Sequence, residues 1–293
     1  MWVLFSLLSA LTMAMVNILD KFILTRLARR PIIPLLILVA MGLVPLPFIF
    51  IGKGIPPLSA AVVVPAVAAA AAFTLSTLLY FEAALREEIS RVVPLSYLSP
   101  LFVSLLAALF LGEVFQPQKY LGVALLVAGA LLISSRNRLS LRPGRAFWLM
   151  VLSAVFLAGY FTLTKRLLAE VDFWSAFALV RLAMFILLVP FYVIHRKETA
   201  MVLRTQSRRV LMTMALSEVL ALTALLLGTV AMSVGPVTLV AALSSVQPFF
   251  VLSFALFLSH FFPAVLREET AVRILGFKLL AIVLIVLGAL LIT

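Results

Sequence analysis

The chain has 293 residues, 65% of them hydrophobic, with a mean hydropathy of +1.26. A water-soluble domain cannot bury that much apolar surface. It has no Cys, two His and two Asp, which excludes a disulfide framework and a cysteine metal site and leaves little for catalytic or metal chemistry. Its net charge of +12 sits in short connections between apolar runs. That pattern reads as loop charge on a membrane protein rather than as a nucleic-acid surface.

Apolar runs of membrane-spanning length recur along the whole chain. They are continuous rather than alternating, so helices are expected and a barrel is not. The hydropathy pattern predicts ten spans, at 2–24, 31–51, 59–84, 89–112, 118–135, 146–168, 173–194, 209–234, 237–260 and 273–293. The first span has no basic residue ahead of it, and its Leu8-Ser-Ala10…Lys21 recurs in the sixth as Leu152-Ser-Ala154…Lys165. A segment copied deep in the chain is expected to be structural rather than a cleaved signal.

The copies continue. Pro248-Phe-Phe-Val-Leu-Ser-Phe-Ala-Leu-Phe-Leu258 repeats Pro100-Leu-Phe-Val-Ser-Leu-Leu-Ala-Ala-Leu-Phe110, and Gly288 to Thr293 repeats Gly129 to Ser134. The chain therefore divides into a five-span unit over 1–135, a polar basic connector over 136–145 and a second five-span unit over 146–293. Five is odd, so the second unit enters the membrane in the opposite sense. An inverted repeat of this kind places a binding site near the midplane, where the units meet. Counting Lys and Arg, 18 fall on the side that follows the odd-numbered spans and 4 on the other; Arg181 lies within a span. The basic side is expected to face the cytoplasm, with both termini outside.

These residues resemble the EamA branch of the drug/metabolite transporter superfamily. The resemblance runs over two tandem units and is carried most specifically by Val93 to Ser134. That stretch has a helix with a central Ser99-Pro100, then Leu111-Gly-Glu113, then Gln118 and a Leu-Gly opening a helix that ends in Gly-Ala-Leu-Leu. Tyr80-Phe-Glu-Ala-Ala-Leu85 also fits, whereas the second unit has Leu258-Ser-His260 in place of Leu111-Gly-Glu113. The resemblance implies an all-α polytopic protein of the cell's inner (plasma) membrane. It would be a secondary carrier moving a small polar metabolite or drug by alternating access. Family members are thought to keep both termini in the cytosol, the reverse of what the charge bias gives here.

Pro100 and Pro248 fall near the centres of matching spans. Each removes a backbone donor and frees a carbonyl, that of Ser96 or Ser244; Ser99 and Gln247 precede them. Broken helices at matching positions in inverted halves point to a substrate site, although such prolines also serve packing alone. Asn17, Tyr80, Tyr97, Tyr160 and Ser245 are polar groups within spans, suited to a water-filled cavity or to interhelical hydrogen bonds. Asp20, Lys21 and Glu82 lie near span ends and read as charges reaching for the interface. The Ala66–Ala72 run reads as close helix packing.

Arg181 and Glu218 stand about a third of the way into consecutive antiparallel spans, and are expected to pair near mid-membrane. The pair could be structural, or could open to offer Arg181 to an anionic group and Glu218 to a proton, a candidate coupling ion. The adjacent acids Glu87-Glu88 and Glu268-Glu269 lie in loops beside arginines, so a membrane-embedded enzyme is not expected, nor is a cofactor or metal. A channel or a non-transporting scaffold is the alternative to a carrier. No nucleotide-binding motif is present in the sequence, and the expected partners are a small-molecule substrate and the bilayer, not nucleic acid.

Overall fold

The computed structural model describes residues 2–27, 31–99, 102, 106, 116–134, 144–234, 246–261 and 272–292. Among these residues the structure is helical, without strands. Its helices are α1 (Trp2–Leu27), α2 (Ile32–Met41), α3 (Leu46–Lys53), α4 (Ala60–Arg86), α5 (Ile89–Leu95) with a 3-10 turn at Ser96–Leu98, α6 (Pro117–Ser134), α7 (Arg145–Leu168), α8 (Phe173–Ile194), α9 (Arg196–Thr205), α10 (Arg208–Val234), α11 (Gln247–Phe261) and α12 (Val272–Ile292). Among the described residues six segments are long and apolar enough to cross a membrane: α1, α2 with α3, α4, α7, α8 and α10. The outer surface carries Phe48, Ile51, Val64, Ile186, Val219 and Val283, each more than half exposed. Such a surface is stable in lipid and not in water.

Two elements depart from the sequence reading. The second span is broken between α2 and α3. Pro45 has no N–H to give to the Met41 carbonyl, and Val44 N–H takes that carbonyl instead at 3.1 Å. Leu43 N–H bonds Ala40 O at 3.2 Å and Leu46 N–H bonds Leu43 O at 3.0 Å, so tighter three-residue turns satisfy the backbone through the break. The second departure is α9, a short helix in the basic connection before α10, where only a loop was expected.

Local chemistry sets other ends. α3 stops at Gly54, whose φ of 78° suits a residue without a Cβ. Asp172 caps α8, its Oδ1 accepting from Trp174 N–H at 3.0 Å and its Oδ2 from the Ser175 hydroxyl at 2.5 Å. The Ser175 hydroxyl, more than any other neighbour, holds the Asp172 carboxyl below the usual carboxylate range.

The most extensive packing joins α1 to α10, α4 to α7 and α6 to α12. α5 and α11 lie against each other; α11 also packs on α1, and α5 on α7. Small residues let these helices approach: Ala69, Ala70, Ala83, Ala84, Ala154, Ala158 and Ala281 are fully buried. In the Ala66–Ala72 run, Ala66, Ala69, Ala70 and Ala72 point inward, in accord with the packing reading. Serines then lock backbone to backbone. The Ser76 hydroxyl lies 3.0 Å from the Ser153 carbonyl, and the Ser153 hydroxyl donates to the Ser76 carbonyl at 2.9 Å. On the other side the Ser9 hydroxyl donates to the Ala224 carbonyl at 2.7 Å.

α6 and α12 touch at Gly129. A Cβ there would lie 2.7 Å from Ile285 Cγ1 and 2.8 Å from the Ala281 carbonyl oxygen. Backbone cannot yield as a side-chain tip can, so Gly129→Ala is expected to cost about 1–3 kcal/mol by overpacking. Thermal unfolding in detergent should show a lowered midpoint; an unchanged one would mean that the two helices separate freely at this point.

Candidate functional site

Among the described residues, polar side chains inside the bundle include two groups that bear on a site. In the first, the Tyr97 hydroxyl donates to Gln247 Oε1 at 2.9 Å, and Gln247 Nε2 donates to Asn17 Oδ1 at 3.1 Å. The residues come from three elements: Asn17 from α1, Tyr97 from the 3-10 turn after α5, and Gln247 from the first position of α11. Pro248 follows in the first turn of α11, where its missing N–H would be unpaired anyway. Pro248 therefore sits in the opening turn of α11; the stretch before Val246, on which the expected kink depends, lies outside the described residues. Pro248 and Ser99 are both buried. Pro100, Ser244 and Ser245 lie outside the described residues.

The second group begins one turn further along α1. Asn17 and Asp20 are three residues apart and share a face. Asp20 Oδ1 accepts from the Ser217 hydroxyl of α10 at 3.1 Å. The next residue, Glu218, meets Arg181 of α8, with Arg181 Nη1 3.0 Å from Glu218 Oε1. Both side chains are mostly buried, at 16% and 12% exposure. The pair expected from sequence is therefore formed, near the middle of α8 and α10. Its contact lacks the alignment of a hydrogen bond. The Arg181 guanidinium also lies over Phe177, 5.4 Å from the ring centroid. Such a stack contributes on the order of 1 kcal/mol.

Tyr80 of α4 is close enough to Asp20 for the carboxylate charge to act on its phenol, and Tyr160 of α7 stands in the same relation to Arg181. The Tyr160 ring packs on Phe73 at 4.8 Å between centroids. Among the described residues, the Tyr80 and Thr74 hydroxyls are buried without a hydrogen-bond partner. Buried hydroxyls of this kind need water or a ligand.

Some polar groups behave otherwise than the sequence suggests. Lys21 does not reach for the interface alone: its ammonium donates to the Ala84 carbonyl and, at 2.7 Å, to the Glu87 carbonyl, closing the C-terminal end of α4. Glu82 pairs with Arg86 one turn on. Arg91 and Lys278, counted above among the connection charges, are instead 4% and 3% exposed. They converge on Glu88 Oε2, from Arg91 Nε at 3.0 Å and Lys278 Nζ at 2.6 Å. This triad ties α5 to α12. Hydropathy reading missed it because each residue stands within two turns of a helix start. The Asp20–Ser217 contact was missed too; its signal was the Asn17–Asp20 spacing.

Gly42, at the end of α2, lies directly on the ion pair. A Cβ at this position would stand 2.9 Å from Arg181 Nη1 and 3.0 Å from Glu218 Oε1. Gly42→Ala is therefore expected to push the two charges apart and lower the thermal midpoint, whereas Gly52→Ala, where a Cβ meets nothing within 4 Å, should not. Equal effects of the two substitutions would mean that Gly42 matters for helix propensity alone.

Comparison with known proteins fits this architecture. No curated protein matches the chain. A solved structure described only as "Crystal structure of protein" is similar over 97% of this chain and 96% of that one, with a TM-score of 0.55 and 16% identity. At that identity the likeness speaks for fold alone. Residues 1–135 match the model of the EamA-like transporter family. Together with the apolar spans, this makes the protein a multi-pass membrane protein. Over those 135 residues the chain is similar to the EamA-like transporter family, which lies within the drug/metabolite transporter superfamily.

Proposed function

We propose that the protein is a secondary active transporter of the inner (plasma) membrane that moves a small polar metabolite or drug by alternating access. Its architecture would be ten spans in two inverted units, 1–135 and 146–293, joined by the connector at 136–145. The observation that carries the proposal is a row of polar contacts between the two units: Tyr97 to Gln247 to Asn17, then, one turn along α1, Asp20 to Ser217, with Glu218 and Arg181 beside it. Polar groups inside a membrane bundle are costly, and they concentrate where a substrate passes. Asn17, Tyr80, Tyr97, Ser99, Tyr160, Gln247 and Pro248, together with Pro100 and Ser244, are the proposed cavity residues. Among the described residues Gln247 uses one of its two amide hydrogens, on Asn17.

The inverted arrangement is supported by the packing. α1 meets α10 as α7 meets α4, and α1 meets α11 as α7 meets α5. Ser9 and Ser153, which occupy the same place in the repeated Leu-Ser-Ala, each donate to the backbone of the partner helix.

Arg181 and Glu218 are proposed to separate during the cycle. A guanidinium freed from its carboxylate can take an anionic substrate group, and a freed carboxylate can take a proton. The test begins with a thermal-shift screen of small polar metabolites, since a ligand stabilises the state it binds. Counterflow of each hit in proteoliposomes follows. A hit that is transported, and whose shift disappears in Gln247→Leu, is expected; transport at wild-type affinity in that variant would remove Gln247 from the site. The exchange Arg181→Glu/Glu218→Arg is expected to fold but not to transport. Arg181→Ala alone is expected to lose about 3–5 kcal/mol by stranding a buried carboxylate. A purely structural pair predicts instead that the exchange restores transport as well as stability.

Moving Arg91 and Lys278 out of the connections leaves the basic bias on the same side. Thr205→Cys is therefore expected to resist an impermeant maleimide in intact cells, while Ser59→Cys reacts; the chain has no Cys to give background. Labelling of Thr205→Cys but not Ser59→Cys would turn the orientation over.

A further inference from the structure

Helix α9 is the one short polar element between two membrane-spanning helices whose described residues run without a break from α8 to α10. At ten residues it is about 15 Å long, too short to cross a bilayer. It starts immediately after α8, at the His195 turn, and only Gln206 and Ser207 separate Thr205 from the start of α10. It must therefore lie at the membrane surface on the side where both long helices end.

Its faces are distinct. Thr199 is buried and Val202 partly so; three residues apart, they form the side that packs on α2 and α8. Lys197 and Arg204, seven residues apart, fall on the opposite side, with Arg196 about a quarter-turn round from them, and all three are exposed. Exposed apolar residues border this basic stripe: Met201 at 61% exposure, one turn from Lys197, and Leu203 at 46%, seven residues from Arg196. The preceding Val193 and Ile194 of α8 are 61% and 71% exposed, so lipid reaches up to the start of α9. Arg208 and Arg209 follow, both exposed, which makes five Lys or Arg between 196 and 209 against one acid, Glu198, which lies beside His195.

We propose that the outer face of α9 is a docking surface for anionic phospholipid headgroups, with Arg196, Lys197 and Arg204 taking the phosphates while Met201 rests in the headgroup–acyl boundary. Charge complementarity selects the occupant. A basic stripe edged by apolar side chains, on a short helix held at the bilayer surface, fits an anionic lipid layer. A soluble acidic partner would have no use for the apolar edges. The proposal does not depend on what the protein carries.

The test uses full-length protein in vesicles of equal phosphatidylcholine and phosphatidylglycerol, extracted mildly, with retained lipids counted by native mass spectrometry. Wild type should retain phosphatidylglycerol in excess. The triple variant Arg196→Gln/Lys197→Gln/Arg204→Gln should cut that excess at least about fivefold, with an unchanged thermal midpoint in neutral detergent. Replacing Arg196 and Arg204 by Lys should preserve the excess, as should Arg166→Gln at the far end of α7. The proposal is overturned if wild type shows no preference for the anionic lipid, as expected of a face built for a soluble partner. An undiminished excess in the triple Gln variant, or an equal loss in Arg166→Gln, would overturn it as well.

Discussion

Inside a bilayer no water is at hand for an orphaned polar group, and this constraint orders the whole molecule. Backbone groups are met within helices, and at the α2–α3 break by the shift to three-residue turns around Pro45. Hydroxyls near helix contacts turn onto carbonyls: Ser9 onto Ala224, Ser76 and Ser153 onto each other. What remains polar is gathered on inward faces, where one group can satisfy the next. The contacts of Asn17, Gln247 and Tyr97, and of Asp20 with Ser217, follow from that requirement as much as from any need of a substrate.

Packing decides how close these groups come. Alanine and glycine at the contact faces bring backbones near enough for a serine hydroxyl to cross between helices. The same economy of volume sets Gly42 against Arg181 and Glu218. The break in the second span and the charge pair thus occupy one place. A helix that bends at Gly42–Pro45 changes the room left for the two charges, and charges that separate change the room left for the bend. Coupling of this sort requires no long pathway, because the parts already touch.

The helical, membrane-spanning character of the chain was legible in the sequence because long apolar runs have one stable form in lipid. Spans one, three, six, seven and eight are found within about three residues of where hydropathy places them. The Arg181–Glu218 pair was legible for a related reason: equal depths on consecutive antiparallel helices leave each charge one plausible partner. Asn17, Tyr97 and Gln247 were legible as polar residues within spans, but not as a bonded chain, since sequence carries no rotation of one helix about another. α9 escaped because ten residues of mixed character, RKETAMVLRT, give no apolar run. Arg91 and Lys278 escaped because a cation near a helix start looks like loop charge until Glu88 is seen beneath both.

On the inverted-repeat reading, packing is shared between the halves and chemistry is not. If Ser9 answers Ser153, the acceptors answer each other too, Ala224 to Ser76. Carried along the helices in that register, Ser217-Glu218 of α10 answer Ala69-Ala70 of α4, both fully buried. In the same way Asn17 and Asp20 of α1 answer Phe161 and Thr164 of α7, in step with Lys21 and Lys165 of the repeated motif. One half thus spends on close packing the positions where the other places an acid. A symmetric frame can support two packings of nearly equal energy, related by exchange of its halves. A single asymmetric set of charges within it gives each of those states a different affinity for whatever ligand or ion reaches the charges, and a differential affinity is what a ligand needs to shift the balance between them.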